Sequence, residues 1–336
     1  MKKSLTENLV LVVFMSILLG ISTGTWAAEF NIKFAHVLVA DTPAGRAAEL
    51  FAKLVGERTK GRIEIKVFPA GQLGNDTQIV EQVQLNTVQM GIPPTAVLGQ
   101  FEPRLQLIDL PFLFPKREAC YEVLDGEVGR TLLEGLSKKG FKGLAYWESG
   151  FKQITTRGKQ INGPADLKGM KIMTMDSPLI IEQYRTWGAN PVPISFGETY
   201  NALQQRVVDG QENPLVSIDR MKFYEVQDFL TISNHAYLGY GVLINQKFWD
   251  GVPRDYADIF QKTMEEVRSW QREESKKLDQ QLIDKMQKAG IKVNSLSQEG
   301  VKEFIKVSAP VYKKYETIVG KDLLDKSMQV GEKYLK

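Results

Sequence analysis

From Asn31 to His36 apolar and polar positions alternate, from Pro43 to Arg58 the apolar residues Leu50, Phe51, Leu54 and Val55 fall at helical spacing, and from Ile63 to Phe68 the alternation returns. A period of two, then about 3.6, then two predicts strand, helix and strand, a βαβ unit. After Phe68-Pro69-Ala70-Gly71-Gln72-Leu73-Gly74 the pattern predicts a helix over Asp76–Leu85 and a short strand over Val88–Ile92. A second set begins near Gly140, with strands over Lys142–Trp147 and Met170–Thr174 and helices over Leu179–Trp187 and Glu198–Val207. Strands alternating with helices imply parallel sheets wrapped by helices, so the expected class is α/β in two domains.

From Arg254 to Ala289 there is neither Pro nor Gly, and apolar residues recur at Tyr256, Ile259, Phe260, Met264, Val267, Trp270, Leu278, Leu282 and Met286. One helix of that length runs about 54 Å, which exceeds one domain and suits an element spanning two. Two helices broken in the polar run Gln271–Lys277 are the alternative, and a solvated face accounts for its charge. Beyond it the pattern predicts a strand over Ile291–Asn294 and an amphipathic helix over Gln298–Ile318, kinked or broken near Pro310.

The N-terminus changes the picture. Lys2 and Lys3, an apolar stretch from Leu9 to Ile21 and a small-residue end at Ala27 have the order of a secretory signal peptide. The apolar stretch is shorter than the roughly 20 residues a membrane helix needs, so residues 1–27 are expected to be cleaved near Ala27 and the rest to reach the periplasm. An apolar fraction of 43% and a charged fraction of 25% suit a globular protein, and a net charge of +3 offers no nucleic-acid footprint.

Catalytic signals are missing: the chain has no phosphate loop, no GxGxxG after a strand, no His-Glu-x-x-His and no paired cysteines. One cysteine, Cys120, and two histidines, His36 and His235, leave no internal disulfide and little capacity for a metal. No catalytic residue, metal or cofactor is expected. In open α/β sheets, however, small molecules bind beyond the carboxyl ends of strands, where helix N-termini present free N–H groups. His36 stands at one such strand end, beside Asp41-Thr42-Pro43, residues suited to starting a helix.

The least ordinary stretch is Val208-Asp209-Gly210-Gln211-Glu212-Asn213-Pro214, polar residues between two helical patterns; a solvated turn and a binding loop are both open readings. Asp209–Pro214 followed by Lys222-Phe223-Tyr224-Glu225-Val226 resembles the solute-binding subunits of tripartite ATP-independent periplasmic (TRAP) transporters, the DctP-type family. Further similarities follow in order at Phe68–Gly74, Asp109-Leu110-Pro111-Phe112-Leu113-Phe114, Pro164–Ile172 and Val192-Pro193-Ile194-Ser195-Phe196. They cover essentially the whole mature chain.

The resemblance implies a two-domain periplasmic binding protein fold, each domain a mostly parallel sheet flanked by helices, joined by crossing strands and a long domain-spanning helix. It divides the chain into 28–149 plus 239–278 and 150–238 plus 279–336. It implies a monomer that is not an enzyme and that captures a small organic acid for a membrane permease. A ligand-sensing receptor for a signalling system and a periplasmic hydrolase are the competing readings.

The family's usual ligand-clamping arginine is replaced here by Met173, and its second cation corresponds to Lys152. Lys152 is therefore expected to meet an acid group, Asp176 an amine, and Asn213 to supply orienting hydrogen bonds. Met173 with Trp147, Phe151, Phe196, Tyr237 and Tyr240 would form an apolar wall, about half of the aromatics facing the cleft. Together they suggest an aromatic or amino-acid-like ligand.

Overall fold

The computed structural model describes residues 28–335; the expected signal peptide lies outside the described residues. The strands are β1 (Phe30–Ala35), β2 (Ile63–Phe68), β3 (Met90–Gly91), β4 (Phe141–Thr156), β5 (Lys171–Thr174), β6 (Asn190–Pro193), β7 (Gly210–Pro214), β8 (Phe229–Ile232), β9 (Tyr237–Asn245) and β10 (Lys292–Ser295). The α-helices are α1 (Pro43–Arg58), α2 (Asp76–Gln84), α3 (Thr95–Leu98), α4 (Arg117–Asp125), α5 (Glu127–Gly135), α6 (Pro178–Thr186), α7 (Thr199–Gln204), α8 (Leu215–Arg220), α9 (Gln246–Asp250), α10 (Arg254–Lys288), α11 (Gln298–Val307), α12 (Ala309–Val319) and α13 (Lys321–Lys333).

The strands run in the order β2-β1-β3-β9-β4-β7-β5-β6, with β8 beside β4 and β10 beside β8. β1 is parallel to β2 and β3, and β5 is parallel to β6 and β7. These parallel arms attach to β9 and β4, which run antiparallel to each other and to the arms they meet. β4 belongs to both arms: its first part pairs with β9 and its last part with β7 and β8. The register along β4 and β9 slips between Glu148 and Gly150. Gly150 has φ +118°, a conformation side chains resist, so the crossing strand bends at a residue without a Cβ.

Local chemistry explains the best-defined elements. Thr42 caps α1 through its side chain, which accepts the Gly45 N–H, and Pro43 pre-sets the first turn. Phe51 on the buried face of α1 packs edge-on against Phe34 of β1 and Phe260 of α10, with ring centroids 6.3 and 5.2 Å apart. α10 is a single helix, about 52 Å long at 1.5 Å per residue, packing on α1, β4 and α8.

The polar middle of α10 is solvated on one side only, where Glu273, Lys276 and Lys277 are exposed. Gln271, Arg272 and Ser275 are buried: Gln271 accepts the Glu148 N–H and donates to the Glu148 carbonyl, and Arg272 forks onto Asp125 at 2.6 and 2.9 Å. Polar side chains are buried there because the helix crosses the middle of β4, whose backbone needs partners.

The helix expected over Gln298–Ile318 is interrupted at Ser308, whose hydroxyl accepts from Trp187 Nε1. The last helices clasp the first arm as well as the second: Tyr312 donates to the Pro111 carbonyl, and Lys326 and Lys333 pair with Glu127 of α5 and Glu122 of α4. Cys120 is buried in the core. No helix among the described residues is long and apolar enough to cross a membrane.

Candidate functional site

Between the two arms lies a cavity of about 260 Å³. The first arm contributes Val37 and Leu38 after β1, Asn75, Asp76 and Thr77 at the start of α2, Pro94 and Val97 around α3, and Leu238 and Tyr240 from β9. The second contributes Met173 from β5, Met175, Asp176, Pro193 to Phe196, Asn213 from β7 and Ser217 from α8. The lining is therefore drawn from strand ends and helix starts of both arms, the position α/β architecture reserves for small molecules.

Contacts across the cleft hold the arms together. Arg220 Nε lies 3.0 Å from Asp41 Oδ2, and Gln100 of the first arm donates to the Asp176 carbonyl of the second.

β7 is the floor of the second arm, so the segment that could have been a solvated turn is a strand buried along all five residues. Gly210 makes this possible, because a Cβ there would stand 2.4 Å from the Thr155 carbonyl oxygen. Successive side chains leave opposite faces of the strand. Glu212 points one way, into a buried ionic cluster, whereas Gln211 and Asn213 point the other way and are linked by an Asn213 Nδ2 bond to Gln211 Oε1 at 2.7 Å. Asn213 Oδ1 is buried and finds no partner within the protein, yet Asn213 lines the cavity. A buried acceptor left unmatched costs about 1–3 kcal/mol, which a solute donating to it would recover.

Five of the ten residues expected from sequence line this cavity together: Met173, Asp176, Phe196, Asn213 and Tyr240. The structure places the other five elsewhere. Lys152 is fully buried, with Nζ 2.9 Å from Glu212 Oε1 and 4.0 Å from Asp109 Oδ1, so its charge is taken up inside the protein. Burial alone would raise the Glu212 carboxyl, but Lys152 and His235 outweigh it and hold the group below its ordinary value. His235 Nε2 reaches Glu212 Oε2 at 2.9 Å, and burial keeps its imidazole depressed despite that partner.

Trp147 packs on Phe34 in the first-arm core, and Tyr237 donates to Glu148 Oε2 at 2.9 Å while its ring meets Phe151. His36 is buried and is not among the cavity's lining residues; burial pushes its imidazole down to about 4, with the nearby Leu38 backbone opposing the shift.

Sequence reasoning passed over Asp76. It begins α2, where Asn75 and Gln78 cap each other, so as a sequence feature it reads as an acid favoured in a first turn. It is half-buried at the cleft, and the burial of its carboxyl pushes the group up to about 7. The signal that could have found it is positional: it starts the helix that follows the carboxyl end of β2. Beside it the Tyr240 hydroxyl is raised by burial, with Asp76 adding to the effect. Among the described residues no group of three or more His, Cys, Asp or Glu is placed to hold a metal ion.

Two α/β arms joined by crossing strands and a long helix, with a cavity of mixed polar and apolar lining between them, have the architecture of a solute-binding clamp. Residues 34–318 match the model of the bacterial extracellular solute-binding protein family 7, DctP, and the chain belongs to that family. It is 38% identical over 303 residues to the C4-dicarboxylate-binding protein DctB of Bacillus subtilis, covering 90% of this chain and 87% of that protein.

Among solved structures it is similar to a TRAP periplasmic solute-binding protein from Sulfurospirillum deleyianum with bound succinate, with TM-score 0.86, 38% identity, and 90% of this chain and 99% of that one covered. The sugar acid binding protein from Advenella mimigardefordensis in complex with galactonate gives TM-score 0.88 at 31% identity, covering 92% and 99%.

Proposed function

We propose that this chain is the extracytoplasmic solute receptor of a TRAP transporter, exported with cleavage near Ala27 and acting as a monomer. It captures one small organic solute between its arms and presents the closed form to the membrane permease. The observation that carries the reading is Asn213, a buried side chain that lines the cavity with an acceptor no protein group meets. At about 260 Å³ the cavity lies just below the usual range of ligand pockets, roughly 300–1,000 Å³, which suits a small solute. Met173, Met175 and Phe196 line it with apolar surface that suits a compact apolar or aromatic body.

Relatives named for C4-dicarboxylates, succinate and galactonate support a solute with a carboxylate. The lining acids Asp76 and Asp176 support one with an amine, so an amino-acid-like solute keeps both supports.

In this mechanism the arms open about β4 and β9, and the bend at Gly150 supports a hinge there. The moving bodies are 28–149 plus 239–278 and 150–238 plus 279–336, except that α13, packed on α4 and α5, rides with the first. The solute enters the open cleft, its donors meet Asn213, and closure forms the Arg220–Asp41 contact. Native mass spectrometry of the protein purified from periplasm tests the reading. A single small molecule should be carried over and recovered chemically unchanged; recovery of a reaction product in its place overturns it.

A further inference from the structure

The cavity is one-sided in its chemistry. Asp76 and Asp176 are the charged residues of its lining, and no lysine, arginine or histidine is among its described lining residues. Asn213 adds a third acceptor, and a relay of hydrogen bonds fixes which end of its amide faces the cavity. The relay starts at the Val226 carbonyl, which can only accept, so Gln227 Nε2 donates to it at 3.0 Å and Gln227 Oε1 is left to accept from Thr155 Oγ1 at 3.1 Å. Having spent its proton, Thr155 accepts from Gln211 Nε2 at 2.9 Å, and Gln211 Oε1 accepts from Asn213 Nδ2 at 2.7 Å. Each amide is oriented by the one before it, and Asn213 presents its oxygen. That oxygen accepts and cannot donate, so it repels a carboxylate and receives an N–H.

One feature of the cavity favours an anion, the N-terminus of α2 at Asn75–Thr77. Its effect is already answered inside the chain. Asn75 takes the Gln78 N–H, Gln78 takes the Asn75 N–H, and the Asp76 carboxyl stands in the first turn, where its ionised form opposes the helix end's positive half charge. The upward displacement of the Asp76 carboxyl to about 7 is what an acid enclosed without a cation shows, and an ammonium beside it would remove that cost.

We propose that the group this cavity recognises is a cationic hydrogen-bond donor, a primary ammonium, held by Asp76 and Asn213 Oδ1 with its apolar body against Met173 and Phe196. A carboxylate on the same solute is dispensable. The inference rests on the solute-receptor reading and names the class of solute. It follows from a lining that carries acceptors and no fixed cation within a cavity built to take a small molecule.

Calorimetric titration of the mature protein with matched pairs tests it: phenethylamine against 3-phenylpropionate, butylamine against butyrate, with L-phenylalanine and succinate alongside. An amine should bind at least tenfold more tightly than its carboxylate counterpart, and Asp76→Asn should weaken amine binding at least tenfold. Asn213→Asp, which keeps an acceptor, should retain amine binding where Asn213→Leu loses it; Asp176→Asn at the exposed rim provides a second charge deletion should Asp76→Asn misfold. Tighter binding of the carboxylates leaves the receptor reading standing and overturns the cation. Binding of neither class, with both proteins folded by circular dichroism, overturns the two together.

Discussion

Replacing Lys152 by Met is the sharpest test of how the ionic cluster beneath the cleft is read. Lys152 is the position from which the family resemblance implies contact with the solute, whereas the structure spends it on Glu212 at 2.9 Å with both side chains fully buried. Removing it leaves Glu212 a buried carboxylate with only neutral His235 close by, at 2.9 Å, and Asp109 an acid neighbour that adds repulsion. Breaking a buried pair from one side costs about 3–5 kcal/mol. At roughly 2–4 °C per kcal/mol, the melting temperature should fall by about 10 °C.

Removing the stranded charge as well, in Lys152→Met with Glu212→Gln, should recover more than half of the loss, because a pair replaced whole leaves no uncompensated ion. Thermal unfolding by circular dichroism gives the stability of the three proteins, and calorimetry with the carried-over solute gives their affinity. The solute's dissociation constant should be unchanged in Lys152→Met once corrected to folded protein. An affinity lowered tenfold or more at an unchanged melting temperature would refute the assignment and return Lys152 to the cleft.

Arg220→Ala removes the Arg220–Asp41 contact across the cleft; the partners are partly exposed, so the loss is about 0.2–1 kcal/mol, and stopped-flow release should quicken by no more than about fivefold with the association rate unaltered. His36 supplies a pH signature: its imidazole is held at about 4 against an unfolded 6.5, so its contribution is present above pH 6.5 and is lost as pH falls through 4. The span is worth about 3 kcal/mol. Asp76 and Asp109, both raised to about 7, change stability in the opposite direction over pH 4 to 7, so the effect is read as the difference between the native chain and His36→Met in denaturant titrations at several pH values. A difference that stays flat from pH 7 to 4 contradicts a buried neutral His36.

Where local pattern and local capping agree, sequence and structure coincide. α1 occupies Pro43–Arg58 and β2 Ile63–Phe68, the spans expected, because Thr42, Pro43 and the alternation that follows are all local signals. The long helix was legible because nothing within it could break it.

β4 was legible only to Trp147, although it runs on to Thr156, because beyond Gly150 its buried positions include Lys152, Gln153, Thr155 and Thr156. Their partners lie far along the chain, Glu212 for Lys152 and Gln227 for Thr155, and no period reveals a bond across sixty residues or more. β7 resembled a turn for the same reason. In the site, the residues found from sequence were Met173, Asp176 and Asn213, each with an unmistakable chemical type, and two of the five aromatics, Phe196 and Tyr240. Trp147 and Tyr237 went astray because an aromatic at a strand end serves the core as readily as the cleft, and only the face of the strand decides.

The account turns on the cavity between the arms being a solute site with Asn213 at its centre. Calorimetric titration of the carried-over solute into the native chain and into Asn213→Ala measures this directly. The Asn213 amide is one end of the relay, so its removal breaks a single internal hydrogen bond; Asn213→Ala should fold and lose tenfold or more in affinity, the loss of one buried bond of about 1.5–3 kcal/mol to a charged donor. An unchanged dissociation constant in the folded variant would remove Asn213, and the cavity it floors, from the site.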